Sequence, residues 1–197
     1  MSRVILLLLM IAFMAMCGCA ESAALIKTNR TSVRSDIFEE LKNGGQASPS
    51  LADLHIIATL KTHRPGIYSA KDIHGTADYK LLLNIDGQAV LLSPRSLQLE
   101  NSEPMGLMDP EAGDGIRYRF DKRVRLKAGM HKIIVALPEE GIAVEREVEL
   151  DEGKTNDLVL EPVYGMTARK RVPASYGTTS FKEGIKGIRL TLNGRKI

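Results

Sequence analysis

From Lys122 to Pro162 apolar and polar residues alternate in short runs, KRVRLKAGMHKIIVALPEEGIAVEREVELDEGKTNDLVLEP. Val124 and Leu126 alternate with Arg123, Arg125 and Lys127 until Ala128-Gly129 interrupts the run. His131, Ile133, Val135 and Leu137 follow, stopped by Pro138-Glu139-Glu140-Gly141. Ile142, Val144, Val148 and Leu150 then stand opposite Glu145, Glu147 and Glu149, and after Asp151-Glu152-Gly153 come Leu158 and Leu160. A period of two, rich in β-branched residues and broken about every 8–12 residues by turn formers, predicts an antiparallel sheet with one solvated face.

The same reading extends outward. Leu54, Ile56, Ala58 and Leu60 alternate with His55, Ile57, Thr59 and Lys61, which predicts a strand over 54–61. Tyr79, Leu81, Leu83 and Ile85 lead to Asp86-Gly87, and Val90 and Leu92 return. Asp-Gly between apolar runs marks a two-residue hairpin, because such a turn needs positive φ. Ile188, Leu190 and Leu192 before Asn193-Gly194 repeat the pattern, with a truncated return ending at Ile197. Ile116, Tyr118 and Phe120 start another strand, with Arg117 and Arg119 outward. Ser35 as N-cap, acidic Asp36, Glu39 and Glu40, apolar Ile37, Phe38 and Leu41, and Gly44 beyond predict one short helix. The segments 43–50, 62–76, 94–115 and 164–183 read as loops, the last two unusually long for a compact domain. The predicted class is mainly β, an antiparallel β-sandwich with one short N-terminal helix.

Composition narrows the function classes. A net charge of +3 with no long basic run gives no reason to expect nucleic acid, and aromatic residues make up only 5%. Arg3, the apolar run from Val4 to Met16, and Met16-Cys17-Gly18-Cys19 have the layout of an export signal too short to span a bilayer comfortably. The segment resembles a bacterial lipoprotein signal, in which 1–18 is removed between Gly18 and Cys19 and Cys19 is lipidated. Met16 stands where that pattern usually has Leu. The resemblance implies that acyl chains on Cys19 hold the protein on a membrane, and Ala20 after the cysteine implies the outer membrane, with the domain facing the periplasm. Residues 19–34 are polar and weakly patterned and read as a flexible tether, leaving 35–197 as the domain. With Cys17 removed and Cys19 acylated, stability has to come from a core and not from a disulfide.

Within the region of about 79–162, Leu83-Asn84-Ile85-Asp86-Gly87, Ser93-Pro94, Leu126-Lys127-Ala128-Gly129-Met130-His131, Gly141 and Val148-Glu149-Leu150 resemble the PEGA-type domains of bacterial envelope proteins. The resemblance implies a small sandwich of immunoglobulin-like or transthyretin-like shape that binds or scaffolds. The four-residue signature that names the family is absent, and Gln98 to Phe120 is inserted between the matched parts.

Motifs for chemistry are sparse. His-Glu-x-x-His, paired Cys-x-x-Cys, a phosphate-binding glycine loop and Gly-x-Ser-x-Gly are all missing. His55, His63, His74 and His131 are dispersed, so no metal site and no cofactor is expected from spacing. Asp109 to Asp114 lacks the ligand cadence of a calcium loop and reads as a solvated turn. Arg169, Lys170 and Arg171, with strand arginines 117, 119, 123 and 125, could meet an anionic partner, although alternating arginines are first of all a solvated face that blunts a sheet edge. Tyr164 and Tyr176 are the tyrosines placed to be exposed in the late loop, the candidate contact surface. The expected function is a non-catalytic envelope lipoprotein whose sandwich, tethered to the outer membrane, holds or recognises another envelope component, a protein or peptidoglycan. Two alternatives stand beside it: a peptidoglycan or glycan binding module, and an envelope hydrolase with a site assembled in space.

Overall fold

The computed structural model describes residues 20–41, 48–65, 71–102, 110–111, 113–165 and 184–197. A helix, α1, spans residues 20–29. Eleven strands follow: β1 Phe38–Glu40, β2 Leu51–Thr62, β3 Leu81–Ile85, β4 Gln88–Leu92, β5 Ser96–Ser102, β6 Gly113–Lys127, β7 Gly129–Leu137, β8 Ile142–Leu150, β9 Thr155–Tyr164, β10 Ile185–Leu192 and β11 Arg195–Lys196. They form two sheets. The larger runs β1-β6-β2-β9-β10-β11 with β5 also on β6, and the smaller runs β4-β3-β7-β8.

The core lies between them, as the alternation requires. Leu54, Ile56, Ala58 and Leu60 of β2 are buried, and so are Tyr118, Phe120, Val124 and Leu126 of β6. They join Leu81, Leu83 and Ile85 of β3, Ile133, Val135 and Leu137 of β7, and Leu158 and Leu160 of β9 in one apolar cluster. Both predicted hairpins form. Asp86 and Gly87 have φ of 46° and 93°, and Asn193 and Gly194 have 49° and 79°, the pair of positive values a primed turn needs.

The central stretch does not stay in one sheet. The chain leaves the larger sheet after β6, and Gly129, at φ 113°, opens β7 in the smaller one. It pairs β7 with β8 through a 3-10 turn at Pro138–Glu140, then returns to the larger sheet as β9. There β9 lies parallel to β2, Leu54 against Asn156 through Ala58 against Leu160, so the sandwich is not purely antiparallel. Alternation tells a strand which face is apolar and says nothing about its neighbour. The 94–115 region, read as a loop, contains β5 paired with the first part of β6, and β6 begins at Gly113 instead of Ile116.

The N-terminal segments also differ from expectation. The predicted helix after Ser35 is β1, with Phe38 opposite Leu126. The Gln88 carboxamide oxygen accepts from Ile37 N (2.8 Å) and Phe38 N (3.1 Å), and its nitrogen donates to Phe38 O (3.0 Å). These tertiary partners, with the burial of Phe38, outweigh the weak local preference for a helix. The expected flexible tether instead holds α1, whose half-buried side is Ser22, Leu25, Ile26 and Asn29. That i, i+3, i+4, i+7 spacing is an amphipathic stripe. It serves the outer face of the smaller sheet, where Leu82, Asn84, Ile134 and Ala136 point away from the core yet are no more than 2% exposed. Asn84 Nδ2 donates to Asn29 O at 3.1 Å. Beyond the helix, Val33 N and Arg34 N donate to Gly87 O, and Ser32 Oγ exchanges two hydrogen bonds of 2.9 Å with the backbone of Ala89.

Candidate functional site

One end of the sandwich gathers ionisable side chains from four parts of the chain. His63 directly follows β2, and Asp72 and His74 lie in the β2–β3 connection. Tyr79 lies two residues before β3, and Glu140 sits in the 3-10 turn between β7 and β8. The antiparallel β3–β7 pairing places the start of β3 beside the end of β7, which brings the turn against the connection.

Asp72 is the hub. Its Oδ2 lies 2.9 Å from His63 Nε2 and its Oδ1 2.5 Å from His74 Nδ1. Oδ1 also accepts from His74 N at 3.0 Å, a local turn that fixes the carboxylate. The far nitrogen of His74, Nε2, lies 3.0 Å from Glu140 Oε1, and Tyr79 Oη donates to that same oxygen at 3.1 Å. The two imidazole rings are 4.2 Å apart. Behind them Tyr79 stacks on Tyr118 at 4.6 Å, and Tyr118 Oη accepts from Gly75 N at 2.5 Å. The tyrosine pair is fully buried and forms the apolar floor on which the connection rests.

The electrostatics follow from this geometry. Burial alone would raise the Asp72 carboxyl, but hydrogen bonds from His63 and His74 outweigh it and hold it at about 2. Burial disfavours the charged form of His74, and the two carboxylates overcome that and raise it. Glu140 is likewise lowered by His74 against the cost of burial, while burial and the Glu140 charge both raise Tyr79. As arranged, both ring nitrogens of His74 face carboxylate oxygens, which favours its charged form. Ligand atoms of His63, Asp72 and His74 lie within 4.8 Å of one another, the one such grouping among the described residues. Spacing could not have shown it, since the participants are 63, 72, 74 and 140. The one local cue is the Asp-x-His spacing of Asp72 and His74, which is too common to argue from.

The other histidines are engaged elsewhere. His55 stands between Asp121 Oδ1 and Asp157 Oδ1, both at 3.1 Å. His131 is buried, with Nδ1 2.6 Å from Asp86 Oδ2 and Nε2 2.8 Å from Lys127 O, locking the β3–β4 turn onto β7. Tyr164 is not the exposed platform expected of it. It is half-buried at the end of β9, where Oη accepts from Lys61 N at 2.8 Å, and burial first of all raises its hydroxyl. Lys61, which alternates with Leu60 on β2, is nevertheless fully buried, and its ammonium donates to Glu111 O and Gly113 O at 2.7 Å each. Arg117 pairs with Glu100 and Glu111, and Arg125 with Asp53, so of the four β6 arginines Arg119 and Arg123 are the exposed ones. Gly18, Cys19, Arg169, Lys170, Arg171 and Tyr176 lie outside the described residues.

Between the sheets near the same end is an apolar cleft lined by Leu60, Leu81, Leu137, Pro162 and Ile188, with no polar lining that could carry chemistry. No helix among the described residues is long and apolar enough to cross a membrane. No protein-family model, no curated protein and no solved structure matches the chain.

Proposed function

We propose that the chain is an outer-membrane lipoprotein, anchored through Cys19, which presents a non-catalytic β-sandwich of PEGA-like type for binding or scaffolding another envelope component. The observation that carries the reading is the apolar run from Val4 closing on Met16-Cys17-Gly18-Cys19. In this reading acyl chains enter the bilayer and α1, about 15 Å long at 1.5 Å per residue, is the spacer. Because α1 is tied to the smaller sheet, the domain is held close to the membrane in one orientation, and a weak contact suffices for a partner confined to the same surface. The half-burial of Tyr164 takes support from a glycan platform built on that residue.

The test is metabolic labelling with a palmitate analogue, followed by membrane fractionation of the unaltered chain and of Cys19→Ala. The unaltered chain is expected to take up label and sediment with outer membranes, and the variant to lose both label and attachment. Tight, label-free membrane association of Cys19→Ala sinks the proposal.

A further inference from the structure

We propose that His63, Asp72 and His74 form a binding site for a divalent transition-metal ion of the Zn²⁺ class. The ligands are His63 Nε2, the Asp72 carboxylate and His74 Nδ1, whose atoms already converge within 4.8 Å. In the arrangement described, the carboxylate occupies the place of the ion: Oδ2 faces one imidazole nitrogen at 2.9 Å and Oδ1 faces the other at 2.5 Å. Ligand bonds of about 2.0–2.2 Å need ligand atoms a little over 3 Å apart, so side-chain rotations alone open the site. Two imidazoles and one carboxylate suit Zn²⁺, Co²⁺, Ni²⁺ and Cu²⁺ far better than Ca²⁺ or Mg²⁺, which prefer all-oxygen sets.

A second observation supports the assignment independently of the cluster. A histidine that binds a metal through one nitrogen almost always donates its other N–H to a carboxylate or carbonyl, which fixes the tautomer and turns the free lone pair inward. Glu140 does this for His74 from a different element, and Tyr79 Oη in turn holds Glu140. Asp72 is positioned by the backbone N–H of His74. Two carboxylates, Asp72 and Glu140, thus converge on this pair of imidazoles, an arrangement that favours a bound cation. The His63 side chain is 47% exposed, against 13% for His74 and 15% for Asp72, so solvent reaches the site from the His63 side and can supply the fourth ligand. Bound there, the ion would tie the end of β2 to the β2–β3 connection and, through Glu140, to the β7–β8 turn.

The experiment takes the full chain in detergent, stripped of metal with a chelator, and titrates it with Zn²⁺ by calorimetry and with Co²⁺ by visible absorption. One ion per chain is expected, with cobalt bands of a low-symmetry nitrogen and oxygen site. Glu140→Gln is expected to weaken Zn²⁺ binding by about 10- to 100-fold, and His63→Ala by more. His63→Ala is the deciding variant, because its half-exposed side chain can be removed without unfolding the sandwich, which circular dichroism checks. His55→Ala, in the separate cluster with Asp121 and Asp157, is expected to leave affinity unchanged. The proposal is overturned by the absence of saturable binding, by equal affinity in His63→Ala, or by a thiolate-to-cobalt charge-transfer band. Only the thiolate band depends on the membrane anchor, because Cys17 and Cys19 are the chain's two cysteines, whereas saturable binding and the His63→Ala comparison do not.

Discussion

Lys61→Met isolates the contribution of a buried ammonium, since methionine keeps most of the length and volume of the side chain while removing its charge. Lys61 is 0% exposed and donates to Glu111 O and Gly113 O, both at 2.7 Å. Its stem occupies space left open by Gly115, where a Cβ would approach Lys61 Cε to 2.5 Å and Thr62 O to 2.7 Å. Hydrogen bonds to a charged group contribute about 1.5–3 kcal/mol each. Losing two, with some return from relieved desolvation and the more apolar side chain, leaves a cost of about 2–4 kcal/mol. For a domain of this size that lowers the melting temperature by roughly 10 °C. The assay is urea unfolding of the full chain with an unchanged slope, together with hydrogen exchange, which should lose protection first in β5 and the start of β6. A loss below about 1 kcal/mol, or a gain, would refute the reasoning by showing that desolvating the ammonium cancels its bonds. Gly115→Ala offers a cross-check. It is expected to cost about 1–3 kcal/mol by overpacking, and less in a Lys61→Ala background, because part of the clash is with the Lys61 stem. Strict additivity would count against that contact.

Two further outcomes follow from other parts of the fold. Leu82→Ala, on the outer face of the smaller sheet, is expected to cost about 2–5 kcal/mol and to increase amide exchange across residues 20–29, whereas unchanged exchange there would mean that α1 does not depend on this face. Asp121 carries a pH effect. Burial would raise its carboxyl, but His55 and then Arg95 outweigh this and leave it below the ordinary value of 3.8. A depressed carboxyl stabilises above its unfolded value and loses that contribution as pH falls through its folded value. Asp121→Asn should therefore be the less stable protein near neutral pH, with the gap closing below pH 3.8; a constant gap in an acid-unfolding series would contradict the assignment.

The alternation of Leu54 to Leu60, Leu81 to Ile85 and Ile133 to Leu137, and the turns at Asp86-Gly87 and Asn193-Gly194, were legible in the sequence because they are local. Side-chain period and positive φ are properties of a few adjacent residues. Those same properties predicted a mainly β sandwich, and the two sheets bear it out. The misreadings share one cause. Phe38 to Glu40 has helix-forming neighbours, yet Gln88 and β6, distant in sequence, draw it into a strand. Residues 20–29 show little contrast by themselves, and their helical stripe acquires a purpose only from the apolar outer face of the smaller sheet.

By itself, then, the chain's pattern determined which residues face inward, where the backbone reverses and what address its first nineteen residues resemble. Only the tertiary structure decided that β6 and β7 belong to different sheets, that β9 lies parallel to β2, and that Lys61 is buried beside Gly115. It also decided that His63, Asp72, His74 and Glu140 meet. The physical reason is that a strand's period encodes its own face, whereas its neighbours and the company of a loop histidine depend on how the sheets pack. The β3–β7 pairing and the turn at Glu140 bring that company together, and no spacing in the sequence records it.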